Sequence, residues 1–131
     1  MSVKQDSPAV AVAIAHAEAW SNHDWETARG MLAADVHVTA TSTQAIMPKT
    51  DTVGIEEYME GLIHFAGAVE PGSARVIATI GDAHNSLILL TVKAAFAPGA
   101  PKVTLPAARL AMLDENNKIR SEQVVFFTLS D

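Results

Sequence analysis

The sequence predicts an α+β domain: three N-terminal helices packed on the concave face of a curved antiparallel sheet. Two observations carry this. Apolar residues recur at helical spacing in three segments before Pro71, and after Pro71 the pattern is one of strands. The order of elements is helix, helix, strand, helix, then four strands that follow one another as a meander. The 131 residues are most simply one domain, spanning 1–131, and can bury a core without disulfide or metal staples.

The first helix starts at Ser7-Pro8, with Ser as N-cap and Pro in the first turn, where its missing N–H costs nothing. Val10, Ala13, Ile14 and Ala17 follow at helical spacing, and Asn22-His23 interrupts them. Asp24 caps the second helix, Glu26 suits its positive first turn, and Ala28, Met31 and Leu32 form its apolar side. From Val36 the period becomes two: Val36, Val38 and Ala40 alternate with His37, Thr39 and Thr41. Thr43–Val53, with Met47-Pro48 and Asp51, reads as a loop.

The third helix begins near Gly54 and carries the stripe Ile55, Tyr58, Met59, Leu62, Ile63 and Ala66, with Glu56 and Glu57 at its N-terminus. Strands follow over Ala74–Ile80, Leu87–Phe96, Val103–Leu113 and Ile119–Leu129. The first turn is Gly81–Asn85, and Leu87–Phe96 is apolar enough to be buried on both faces. Pro98-Gly99-Ala100-Pro101 makes a loop. Glu115–Asn117 joins the last two strands, since Asn tolerates the positive φ of a hairpin turn.

Composition narrows the function classes. Nine Lys+Arg against 15 Asp+Glu give a formal charge of -6, which disfavours a phosphate backbone as partner. There is no cysteine, hence no disulfide, thiol nucleophile or thiolate metal site. No H-x-H, H-E-x-x-H or carboxylate–His spacing is present, so neither a metal nor another cofactor is expected. The apolar run Ala9–Ala15 is far too short for a membrane span, and although "AHA" follows it, Asp6 precedes it. It is read as a helix of the mature protein, with a cytoplasmic location expected.

The stretch "HDWETARGMLAADVHV" and the hairpin "NNKIRSEQVVF", with the order of elements, resemble the nuclear transport factor 2-like superfamily. Its fold is a cystatin-like conical α+β barrel, and it includes ketosteroid isomerases, SnoaL-type polyketide cyclases and limonene epoxide hydrolase. The resemblance covers nearly the whole chain, and its motifs report packing. It implies a pocket at the open end of the cone. Ketosteroid isomerases need a carboxylate base, a Tyr and a protonated Asp. Matched on the Asp24 link and the "KIRS" hairpin, these positions fall at Ala40, His16 and Arg109. Ala40 cannot take a proton, so ordinary ketosteroid isomerisation is not expected. The epoxide hydrolase arrangement needs inward Asp residues that the last two strands lack, and Asp114 closes their hairpin.

If Asn116 and Asn117 form a two-residue turn, Ala107, Arg109, Ala111 and Leu113 share a face with Arg120, Glu122, Val124, Phe126 and Thr128. The other face carries Leu110, Met112, Val125, Phe127 and Leu129. The resemblance puts the Arg109 face inward. The outer apolar face is then expected to meet a second copy of the chain, because large exposed apolar sheets are rare in monomers. Arg109 and Glu122 would be diagonal neighbours. They are either a ligand site, with Arg109 on a carbonyl or carboxylate and Glu122 as acid or base, or a structural ion pair. His16, on the shoulder of the first helix's stripe, is the third catalytic candidate, with simple packing as its alternative. Trp20, Tyr58, Val124 and Phe126 are the candidate pocket lining. Tyr58 is otherwise core, and Trp20 and Trp25 otherwise hold the two helices together. His64 reads as an exposed partner of Glu60, and His37 points away from the pocket.

The function expected is therefore a SnoaL-like pocket for an apolar polyketide- or steroid-like compound, with an isomerase, cyclase or hydrolase activity that lacks the ketosteroid isomerase base. The alternative is a non-catalytic ligand-binding or dimerisation module.

Overall fold

Ser7 fixes the start of the chain in three dimensions. Its hydroxyl accepts from the Val10 N–H at 3.1 Å, capping α1 (Pro8–Ser21), and donates to the Asp82 carbonyl at 2.5 Å. The computed structural model describes residues 7–42, 50–95, 97 and 99–127. α1 ends where His23 takes a positive φ of 63°, and Asp24 caps α2 (Trp25–Gly30) by accepting from the Thr27 N–H. β1 (Leu32–Ser42) and β2 (Thr50–Val53) precede α3 (Ile55–Ala66). Then come β3 (Arg75–Gly81), β4 (Asn85–Ala94), β5 (Val103–Leu113) and β6 (Ile119–Phe126).

The sheet has six strands in the order β2-β1-β6-β5-β4-β3. β3 to β6 form the expected antiparallel meander. β1 lies parallel to β6, and β2 pairs antiparallel with the outer edge of β1. The helices cover the concave face. The core between the layers is built from Ala13, Ala17 and Trp20 of α1, Tyr58, Met59 and Leu62 of α3, and the inward residues of β1, β4, β5 and β6. α1 is rich in alanine and so approaches the sheet closely. Gly81 permits this: a Cβ there would lie 2.6 Å from Val10 Cγ2 and 2.7 Å from Ser7 Oγ.

Several expectations are corrected. Leu32 does not belong to the second helix: β1 begins there, four residues before Val36, because a six-residue α2 already ends at Gly30. Thr50–Val53 is a strand within the expected loop, held by pairing with His37–Ala40; Met47-Pro48 lies outside the described residues. β4 is buried on one face only. Ser86, Ile88, Leu90, Val92 and Ala94 point inward, while Leu87 and Lys93 are exposed. Ile63 is exposed despite its place in the stripe of α3.

The β5–β6 connection is longer than a two-residue turn. Asp114 accepts from the Asn116 and Lys118 N–H groups, and Asn117 takes φ 59°. An irregularity between Met112 and Leu113 sets Leu113 opposite Ile119, so Ile119 points inward and Arg120 is exposed, not on the Arg109 face. β6 ends at Phe126, with Thr128 and Leu129 outside the described residues. Among the described residues no helix is long and apolar enough to cross a membrane.

Candidate functional site

The β5–β6 register places Arg109 opposite Val124 and Glu122 opposite Ala111. Arg109 and Glu122 are thus diagonal neighbours on the concave face, next to the small side chain of Ala111. Arg109 Nε donates to Glu122 Oε2 at 3.0 Å and Nη2 to Oε1 at 2.6 Å. From α3 the Tyr58 hydroxyl donates to Glu122 Oε1 at 2.7 Å and accepts from Arg109 Nη2 at 3.2 Å. The three residues close a ring of hydrogen bonds within the core. His16, Arg109 and Glu122 are 1%, 6% and 3% exposed.

α1 forms the roof. Arg109 Cζ sits 4.9 Å from the centre of the Trp20 ring, a cation–π contact, and His16 stacks on Tyr58 with ring centres 6.3 Å apart. His16 and Trp20 are four residues apart, so one helix face presents both. Trp20, Phe65 and Phe126 form an aromatic layer beside the ring, with Trp20–Phe65 at 6.0 Å and Phe65–Phe126 at 5.1 Å. Val124 and Phe126 are buried. Trp25 stacks on His23 at 5.3 Å and stays at the helix link.

Electrostatics divide the cluster. Burial alone would push the Glu122 carboxyl up, but Arg109, His16 and the hydrogen bonds from Arg109 and Tyr58 outweigh it, so its pKa lies below the ordinary value. Burial likewise would lower the Arg109 pKa; the Glu122 charge and the hydrogen bonds raise it instead, and the guanidinium stays charged. Burial, then the Glu122 charge, pushes the Tyr58 phenol well above the usual tyrosine range. Burial pulls His16 down from 6.5 to about 4, with Glu122 opposing and Arg109 adding to the fall. The site therefore holds a charged pair, a neutral phenol and a neutral imidazole at neutral pH.

Hydrogen-bond supply also differs between these groups. Glu122 accepts three bonds and has little capacity left, which counts against it as acid or base. Arg109 uses Nε and Nη2, and its Nη1 makes no hydrogen bond among the described residues. His16 Nε2, Trp20 Nε1 and Ser86 Oγ are buried without a partner among the described residues. Such atoms are rare in folded proteins, and each calls for an explanation. Ala40 lies on β1 opposite Val124 and offers no titratable group. His37 and His64 are exposed, with His37 bound to Asp51 on the edge of the sheet. Among the described residues no His, Asp and Glu cluster could hold a metal. A hollow of about 530 Å³ at the hairpin tip, lined by His84, Met112, Glu115 and Arg120 among others, includes none of His16, Tyr58, Ser86, Arg109 or Glu122.

Sequence reasoning brought together His16, Arg109, Glu122, Trp20, Tyr58, Val124 and Phe126, and the structure buries all seven. It missed Phe65 and Ser86. Phe65 lies three residues after Leu62 on α3, a helical spacing that could have suggested it. Ser86 falls between the expected turn Gly81–Asn85 and the expected strand Leu87–Phe96, and an unpaired hydroxyl among the described residues has no sequence signature.

The SnoaL-like domain family matches residues 13–131, and the chain belongs to that family. Solved structures share the fold. A protein from Kribbella flavida is 20% identical over 88% of this chain and 84% of its own, with a TM-score of 0.70. An NTF2-like protein of unknown function from Cytophaga hutchinsonii is 15% identical over 95% and 94%, with a TM-score of 0.66. A steroid delta-isomerase from Pseudomonas aeruginosa is 12% identical over 98% and 85%, with a TM-score of 0.67. No curated protein matches the chain.

Proposed function

We propose that this SnoaL-like domain binds a mostly apolar, polyketide- or steroid-like compound with an oxygen function and performs acid–base chemistry on it, as an isomerase, cyclase or hydrolase would. The observation that carries this reading is His16: a buried imidazole whose Nε2 has no partner among the described residues, kept neutral at pH 7 by its burial, beside a fixed guanidinium. A substrate oxygen accepts from the unused Nη1 of Arg109, and His16 Nε2 exchanges a proton with the substrate or hydrogen-bonds its oxygen, according to its tautomer. Glu122 and Tyr58 are positioning residues that fix the guanidinium by hydrogen bonds. With Ala40 in place of a carboxylate, ordinary ketosteroid isomerisation is not part of the proposal. Titration of the tryptophan fluorescence, from Trp20 and Trp25, with apolar ketones tests it. Quenching by ketones in wild type, weakened in His16→Gln, is expected; no response to any ketone contradicts it.

A second reading is a non-catalytic ligand-binding or dimerisation module. The closed ring of Arg109, Glu122 and Tyr58 favours it, because a self-neutralising buried cluster has no need of a substrate. Either reading is compatible with a homodimer through the outer sheet face. Ile80, Leu87 and Leu110 form one cross-strand row there and are 70%, 42% and 37% exposed.

A further inference from the structure

We infer that Ser86 is a ligand-binding residue, whose hydroxyl takes a second oxygen function of the compound bound at Arg109 and His16. This rests on the pocket reading above and narrows the substrate class to apolar compounds with two oxygen functions.

Ser86 stands on β4 in the inward series Ser86, Ile88, Leu90, Val92 and Ala94, and is 1% exposed. Its hydroxyl has no hydrogen-bond partner among the described residues. An unpaired buried hydroxyl is disfavoured in the empty protein, whereas an apolar residue in its place would not be. The strand registers place Ser86 in one row with Gly81, Ala111, Glu122 and Val38. Only Ala111 separates it from Glu122 in that row, so the two polar groups stand two strand spacings apart, roughly 10 Å. On α1 above, the small Ala13 and Ala17 flank His16, while Val10 lies over the Gly81 end of the row. A second pair of partnerless atoms, His16 Nε2 and Trp20 Nε1, comes from this roof. Arg109, two residues before Ala111 on β5, is a diagonal neighbour of both Ser86 and Glu122, so Ser86 stands beside the charged pair on the concave face. An apolar compound with two oxygen functions, one at Arg109 and one at Ser86, satisfies both. A compound with one oxygen leaves Ser86 unpaired.

The test compares two neutral probes on one frame, 2-decalone with one oxygen and a decalindione with two, titrated calorimetrically into the full chain. Wild type is expected to bind the dione about five- to tenfold more tightly, the net effect of one neutral hydrogen bond. Ser86→Ala and the similarly sized Ser86→Cys should abolish that preference and leave 2-decalone binding unchanged. Ser86→Ala should also melt at a higher temperature than wild type without ligand, because it removes an unpaired buried hydroxyl. Equal affinities in wild type, a preference that survives in Ser86→Ala, or a lower melting temperature of Ser86→Ala would each overturn the inference while the pocket reading stands. Binding of neither probe to wild type would remove the pocket reading and this inference with it.

Discussion

Arg109 Nη2 lies 2.6 Å from Glu122 Oε1, across a diagonal of the β5–β6 hairpin, and both side chains are almost wholly enclosed. Removing one charge strands the other away from water. Arg109→Met should destabilise the fold by roughly 3–5 kcal/mol, and the double variant Arg109→Met/Glu122→Gln by clearly less. Urea unfolding of the two single variants and the double variant measures the coupling. Equal losses in the single and the double would show that the pair contributes nothing as a pair.

Tyr58 joins the same ring through its hydroxyl, while its ring stacks on His16. Tyr58→Phe keeps the stacking and removes a donor to a carboxylate. A loss of about 1–3 kcal/mol is expected. A variant as stable as wild type would mean that the hydroxyl is not held by Glu122.

His16 makes stability depend on pH. Its folded pKa of about 4 lies below its unfolded value of 6.5, so the unfolded chain takes up the proton first as pH falls. The contribution is full above pH 6.5 and is lost between 6.5 and 4, about 3 kcal/mol in all. Glu122, also lowered, adds to the loss only in the carboxylate range. Between pH 6.5 and 5 the wild type should therefore lose stability more steeply than His16→Gln. Parallel slopes would contradict a neutral buried imidazole.

How far the site was legible follows from particular residues. Period-two spacing put Arg109 and Glu122 on one face of the hairpin, and the pairing register agrees. The same parity sent Arg120 inward, which failed because an irregularity near Leu113 shifts the register by one residue. Thr50–Val53 could not be read as a strand, since "TDTV" has little apolar alternation and pairs only because β1 offers an edge. Leu32 sits where helical and strand patterns overlap, and the early end of α2 decides it. The free Nε2 of His16 and the free hydroxyl of Ser86 follow from what surrounds them, which no local pattern records.

The outer sheet face predicts a homodimer. The row Ile80–Leu87–Leu110 is flanked by the half-buried Met112, Val125 and Phe127. Sedimentation at micromolar concentration should give twice the chain mass, and Phe127→Asp should give one chain mass. A wild-type monomer would contradict the shared face.

The central claim is that His16, beside the fixed Arg109, transfers protons on a bound carbonyl compound. Its most direct test is exchange of the α-hydrogens of 2-decalone in D2O, followed by NMR with the purified protein. Wild type should accelerate exchange above buffer, and His16→Gln should lose about 10²-fold or more of that acceleration while still binding the ketone. An exchange rate in wild type equal to that of His16→Gln would contradict the claim and leave a binding module in its place.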